Sequence, residues 1–125
     1  MGAVSFAGYA AIFHHADRGG DVVLPGALAA AGAVPLLWQH RGRAIGTVEA
    51  LDEDARGLRV TGRIADARAA ELVRSGALTG LSFGYRARRV RQGARRVIVA
   101  ADLLEISLVA QPMQPWARID AVADG

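Results

Sequence analysis

Apolar and polar positions alternate along the chain in short runs cut by glycine, a pattern that predicts strands more than helices. Phe6–Phe13 reads as a strand, and the turn formers of His14–Gly20 follow it as a loop. Asp21–Leu24 is a brief apolar run. Pro25 and then Gly26–Ala31 before Gly32 has the form of a short helix, with Pro in its first turn and Gly past its end. Val34–Gln39 predicts a buried strand with Pro35 at an edge or near its start, and this strand delivers His40 at its end. Ala44–Ala50 and Gly57–Ile64 follow, the second alternating Leu58, Val60, Gly62 and Ile64 against Arg59, Thr61 and Arg63, with Asp52–Gly57 as an acidic turn between them. Asp66 has the residue type of an N-cap for a helix over Ala67–Ser75, and Gly76 has that of its C-cap. Leu81–Val90 and Arg96–Val109 resume strand character through a Gln92-Gly93-Ala94 hairpin. The Pro-interrupted stretch Gln111–Ile119, within a tail of residues 111–125, is expected to cover one sheet edge as a loop or short helix. The fold class expected is mainly β with some α (α+β), a small antiparallel β-barrel decorated by short helices.

Composition narrows this picture. At 125 residues the chain predicts a single domain, residues 1–125, and 52% hydrophobic against 22% charged residues is enough apolar material for one core. Aromatics are only 6%, so the core is built from Ala, Val, Leu and Ile, and stacking platforms for single-stranded nucleic acid are not expected. Cysteine is absent, which removes disulfides, thiol nucleophiles and thiolate metal sites. Met1–Phe6 lacks a basic n-region, and no apolar run approaches the roughly 20 residues of a membrane span, so a non-exported protein without a membrane is expected.

Net charge is +3, and all fifteen basic residues are Arg. Five of them, Arg88, Arg89, Arg91, Arg95 and Arg96, cluster about the last hairpin. Such a patch suits nucleic acid or an acidic protein surface, while a solvated hairpin tip that keeps the chain soluble is the simpler reading.

A serine hydroxyl needs a neighbouring base and a group that orients that base before it can attack a carbonyl. Ser82 lies in Gly80-Leu81-Ser82-Phe83-Gly84, which spells G-x-S-x-G. The strand-turn-helix context of a nucleophile elbow is missing, because Tyr85–Val90 continues as strand, so an α/β-hydrolase is excluded. A serine among glycines is also a common packing position, and a His after Trp38-Gln39 could simply end a strand. Glu105 is more telling. Burying a carboxylate within Leu103–Val109 is costly without a charged or hydrogen-bonded partner, and an imidazole is one. Asp102 is the other acid in reach, and on strict strand alternation it faces away from Glu105. His14 and His15 are adjacent in a polar loop without nearby carboxylates at ligand spacing, so no metal site is expected.

Four ordered blocks carry a resemblance: Leu36-Leu37-Trp38-Gln39-His40, Ala44-Ile45-Gly46-Thr47-Val48, Gly80-Leu81-Ser82-Phe83-Gly84-Tyr85, and Glu105-Ile106-Ser107-Leu108-Val109 with Pro112 shortly after. Over about Gly8–Ile119 the chain resembles the prohead maturation proteases of tailed phages, distant relatives of the herpesvirus assemblins. The resemblance implies an assemblin-like fold and a serine endopeptidase that needs no cofactor or metal. Its substrates would be scaffold, the N-terminal segment of the major capsid protein, and the chain itself. It would work in the bacterial cytoplasm, inside the assembling prohead. Carried over, Ser82 is the nucleophile and His40 its base. Assemblins use a second His as third member, and this chain has none after His40; Glu105, 23 residues beyond Ser82, takes that position, with Asp102 as the alternative.

The resemblance also implies oxyanion donors from a loop after the third residue, where this chain has the proline-interrupted Gln111–Trp116, and no donor is assigned. Family members often carry a longer C-terminal extension, so a minimal or self-trimmed enzyme, from a phage or a gene transfer particle, is the expectation. A homodimer is expected by analogy, with the helix Ala67–Ser75 as one possible interface. The competing reading is a non-catalytic, Arg-rich β-barrel that serves capsid assembly or binds nucleic acid.

Overall fold

Strand β7 (Arg96–Val109) is the member on which the other elements are arranged. The computed structural model describes residues 3–28 and 33–125. On one edge β7 pairs along its whole length with β6 (Gly80–Gln92), antiparallel. On the other it takes two short parallel partners, β2 (Asp21–Val23) beside Arg96–Ile98 and β3 (Pro35–Trp38) beside Ile106–Leu108. From β3 the sheet continues through β4 (Arg41–Glu53), β5 (Gly57–Ile64), β1 (Val4–Ile12) and β8 (Ile119–Asp124), each antiparallel to the next.

The expected closed, wholly antiparallel barrel is therefore corrected to an open sheet with two parallel pairings. Among the described residues, the start of β6 meets the residues leading into β8 at the isolated bridge Gly80–Arg118, flanked by bonds from Leu81 N–H to Ala117 C=O (2.9 Å) and Ile119 N–H to Thr79 C=O (2.8 Å). Two prolines, Pro112 and Pro115, interrupt the segment that would have to extend this ladder, and proline has no N–H to give it. Beyond the bridge β8 turns away to pair with β1. Gln111–Arg118 run as loop and turn, as expected of the proline-interrupted stretch, and the residues after them form the edge strand β8.

Inward-facing side chains are aliphatic, as the composition required: Leu36, Val60, Ile64, Leu81, Ile98, Ile106 and Leu108 are all fully buried. Among the described residues one helix forms, α1 (Ala67–Arg74), with the Asp66 carboxylate accepting the Ala69 N–H at 2.9 Å as its N-cap. Its buried residues Ala69, Ala70 and Val73 belong to the chain's own core, so its apolar face is not left over for a partner. Pro25–Leu28 form a turn, and the rest of the short helix expected there, at residues 29–32, lies outside the described residues.

Two polar clamps fix what hydrophobic packing cannot orient. The Gln114 side chain accepts the Ile12 N–H at 2.7 Å and donates to the Ile12 C=O at 2.8 Å, anchoring the proline-containing segment to the end of β1. Tyr85 on β6 donates its hydroxyl to Asp21 at 3.0 Å, tying β2 across β7. Burial first, and then that bond, push the Tyr85 phenol up to about 12. Leu36, buried on β3 where β3 meets β7, should be among the costliest positions to truncate. Leu36→Ala is expected to lose about 2–5 kcal/mol, read as a lowered urea midpoint with unchanged m.

Candidate active site

The β3–β4 hairpin turns in two residues, Gln39 and His40, and both have positive φ, 55° and 63°. A two-residue loop of that hand matches strand twist, but it normally calls for Asn-Gly, and two side-chain-bearing residues there are strained. Three hydrogen bonds hold the turn against β7 and the residue after it. Gln39 N–H donates to Leu108 C=O (2.9 Å), His40 N–H to Ser107 Oγ (3.1 Å), and Ala110 N–H to the Gln39 side-chain oxygen (2.8 Å).

The imidazole is fixed from the same strand. His40 Nδ1 lies 2.7 Å from Glu105 Oε2, and Ser107 Oγ donates to the other carboxylate oxygen, Oε1, at 2.6 Å. His40, Ser107 and Glu105 thus form a closed ring of hydrogen bonds in which both carboxylate oxygens are engaged. An ionised carboxylate only accepts, so this contact selects the Nδ1–H tautomer and leaves Nε2 as an acceptor. Ser107 is fully buried, Glu105 is 14% exposed and His40 41% exposed, so the array runs from the interior to the surface.

Strand register places Ser82 and the glycines around it. Ser82 lies directly opposite Ser107, and Gly84 opposite Glu105. A Cβ at position 84 would stand 2.1 Å from Glu105 Oε2, so only glycine lets the carboxylate lie over β6. At position 80 a Cβ would meet the Val109 carbonyl oxygen at 2.4 Å and the Pro112 ring at 2.8 Å. The G-x-S-x-G spacing is thus two close approaches on a strand, and not a nucleophile elbow. Ser82 and His40 both line one open cleft of about 410 Å³, with Gln39, Gln111 and Met113 among its other walls.

A β-bulge sets which acid faces the histidine. Between Gly84–Glu105 and Tyr85–Leu103 the register shifts, leaving Leu104 unpaired and 46% exposed. Leu103 and Ile106, three apart, are consequently both in the core. Alternation across Leu104 is broken, so it does not separate Asp102 from Glu105. Asp102 is set apart by its own partner: Arg88 donates to it at 2.7 Å and holds its carboxyl below the ordinary value. Of the sequence candidates, His40 and Glu105 are in contact, Ser82 shares a cleft with His40, and Asp102 is paired elsewhere.

Ser107 was missed by sequence reasoning. Its signal was a small hydroxyl two residues beyond Glu105 in an otherwise aliphatic run, where a buried polar group must have a partner. His15 packs instead against Trp116, ring centres 5.5 Å apart, and among the described residues no group of three or more His, Asp or Glu could hold a metal ion. Arg88, Arg89, Arg91, Arg95 and Arg96 are exposed on the far end of the β6–β7 ribbon, with Arg96 3.5 Å from Asp21. Among the described residues no helix is long and apolar enough to cross a membrane.

The chain is 34% identical over 94 residues, 64% of its length, to the prohead protease of Enterobacteria phage HK97, and spans about two-fifths (41%) of that relative. Its fold is similar to that of the KSHV protease solved with a hexapeptide phosphonate inhibitor. The TM-score is 0.58 at 14% identity, over 100% of this chain and 65% of that one. The family model of the caudovirus prohead serine protease matches residues 1–125, and the chain belongs to that family.

Proposed function

We propose that the chain is a serine endopeptidase in which Ser82 attacks, His40 moves the proton, and Glu105 orients His40. The observation that carries this reading is the 2.7 Å contact between His40 Nδ1 and Glu105 at the edge of a cleft that Ser82 also lines. In the acylation step Ser82 Oγ bonds to the scissile carbonyl carbon while His40 Nε2 takes the hydroxyl proton. The proton then passes to the departing amine nitrogen as the C–N bond breaks. Water, activated by the same imidazole, hydrolyses the acyl ester and returns Ser82. Glu105 stabilises the imidazolium formed in each half, and no metal or cofactor takes part.

Ser107 is a positioning residue in this scheme. It holds the carboxylate oxygen that His40 does not use, and it accepts the backbone N–H of the strained residue that carries the imidazole. The substrates proposed are the N-terminal segment of the major capsid protein, scaffold segments and the chain itself, processed inside an assembling prohead in the host cytoplasm. Family membership supports this assignment; a homodimer, by analogy with assemblins, is a further part of the proposal but cannot use the buried face of α1.

Co-expression with the major capsid protein of the same particle, followed by intact mass of that capsid protein, tests the reading. Wild type is expected to give a shortened product and Ser82→Ala only the full-length chain. Shortening by Ser82→Ala would contradict the assignment. Ser107→Ala is expected to lower kcat about 10–100-fold, the worth of one hydrogen bond to a charged group, with KM little changed. A lowered thermal stability with kcat unchanged would make Ser107 merely structural. Gly84→Ala is expected to keep the sheet but displace Glu105, lowering kcat by about 10²-fold or more as a misplaced array would; near wild-type kcat would show that the close approach is unimportant.

A further inference from the structure

A second cleft, of about 560 Å³, opens on the other side of Gln39, which lines both it and the cleft holding Ser82 and His40. Its remaining walls are Trp38, Arg41, Arg43, Ala44, Ile45 and Asp66. Arg41 and Arg43 are two apart on β4, so strand alternation puts them on one face, and both line the cleft and are exposed. Among the described residues neither makes an ion pair, although five other arginine ion pairs form elsewhere on the surface.

Asp66 is the one acidic wall, a single carboxylate against the two guanidiniums. Its carboxylate caps α1 at the Ala69 N–H, and its backbone N–H is held at 3.0 Å by the Ile45 carbonyl. The floor is therefore apolar, through Trp38, Ala44 and Ile45, while the rim carries two unmatched guanidiniums, a fork geometry suited to a carboxylate. The strand that supplies them begins at the residue after His40, so a peptide crossing the first cleft lies within a few residues' reach of the second.

Building on the endopeptidase reading, we propose that this second cleft is a substrate subsite for an acidic side chain, Asp or Glu, at one fixed position near the scissile bond. Arg41 and Arg43 would pair with its carboxylate, and the apolar floor would take its methylenes. Specificity then comes from the β3–β4 hairpin, the same element that presents His40.

The test is cleavage-site profiling with a proteome-derived peptide library read by mass spectrometry, on wild type, Arg41→Gln/Arg43→Gln and Arg41→Glu/Arg43→Glu, with Ser82→Ala as blank. Wild type is expected to show Asp and Glu enriched at one position relative to the cut, less so at high salt, where partly exposed pairs are screened. The Gln pair is expected to lose that enrichment and about tenfold or more in kcat/KM on the best acidic peptide, and the Glu pair to move the enrichment to Lys and Arg. Ser82-dependent cutting with no acidic enrichment, or with the same enrichment in all three proteins, overturns the subsite alone. No cutting above the Ser82→Ala blank overturns the endopeptidase reading and the subsite with it.

Discussion

The Gln39–His40 turn is strained, and it stays down on β7 because Leu108, Ser107 and Glu105 hold it there. Left-handed backbone at two consecutive side-chain-bearing residues costs on the order of 1–3 kcal/mol each, and such outliers persist only where neighbours over-determine them. Here the neighbours are one carbonyl, one buried hydroxyl and one carboxylate, all from the four-residue stretch Glu105–Leu108 of one strand. The same contacts that hold the strained turn also set the tautomer and direction of the imidazole. Stability and proposed chemistry therefore rest on one set of hydrogen bonds, and the core residues Ile106 and Leu108 that alternate with the polar ones keep that strand in place.

Those contacts need β7 to change phase. Aliphatic residues must face the core on both sides of Leu104, yet Glu105 and Ser107 must face the turn, and a strand without a bulge cannot satisfy both. Expelling Leu104 to solvent is the local cost of that arrangement. Glycine at 84 then gives the carboxylate room over the neighbouring strand, so the spacing Gly80, Ser82, Gly84 and the spacing Glu105, Ser107 are two halves of one packing problem.

Much of this was legible in the residues. Gly57–Ile64 has clean alternation and became β5 with those bounds, and Asp66 caps α1 as its type and place suggested. Glu105 stood out because a carboxylate in an aliphatic run demands a partner. What could not be read depended on long-range geometry. β8 has mostly exposed side chains, so Ile119–Asp124 shows no hydrophobic pattern, and its strand form comes from backbone pairing with β1. The outer halves of β4 and β6 extend past their apolar segments for the same reason. Sheet closure turned on where β8 departs, which no local pattern encodes, and the bulge at Leu104 defeated the alternation argument about Asp102 even though Asp102 lies apart from His40.

If the hydrogen-bonded ring is what activates Ser82, that serine is a nucleophile only while the fold is intact. A fluorophosphonate probe, which phosphonylates activated serine hydroxyls, followed by intact mass and peptide mapping, tests it directly on the folded chain and on the chain unfolded in urea. The folded protein is expected to carry one adduct per chain, mapped to Ser82, and the unfolded chain none. No adduct in the folded chain, an adduct on another serine, or equal labelling of both states would contradict it.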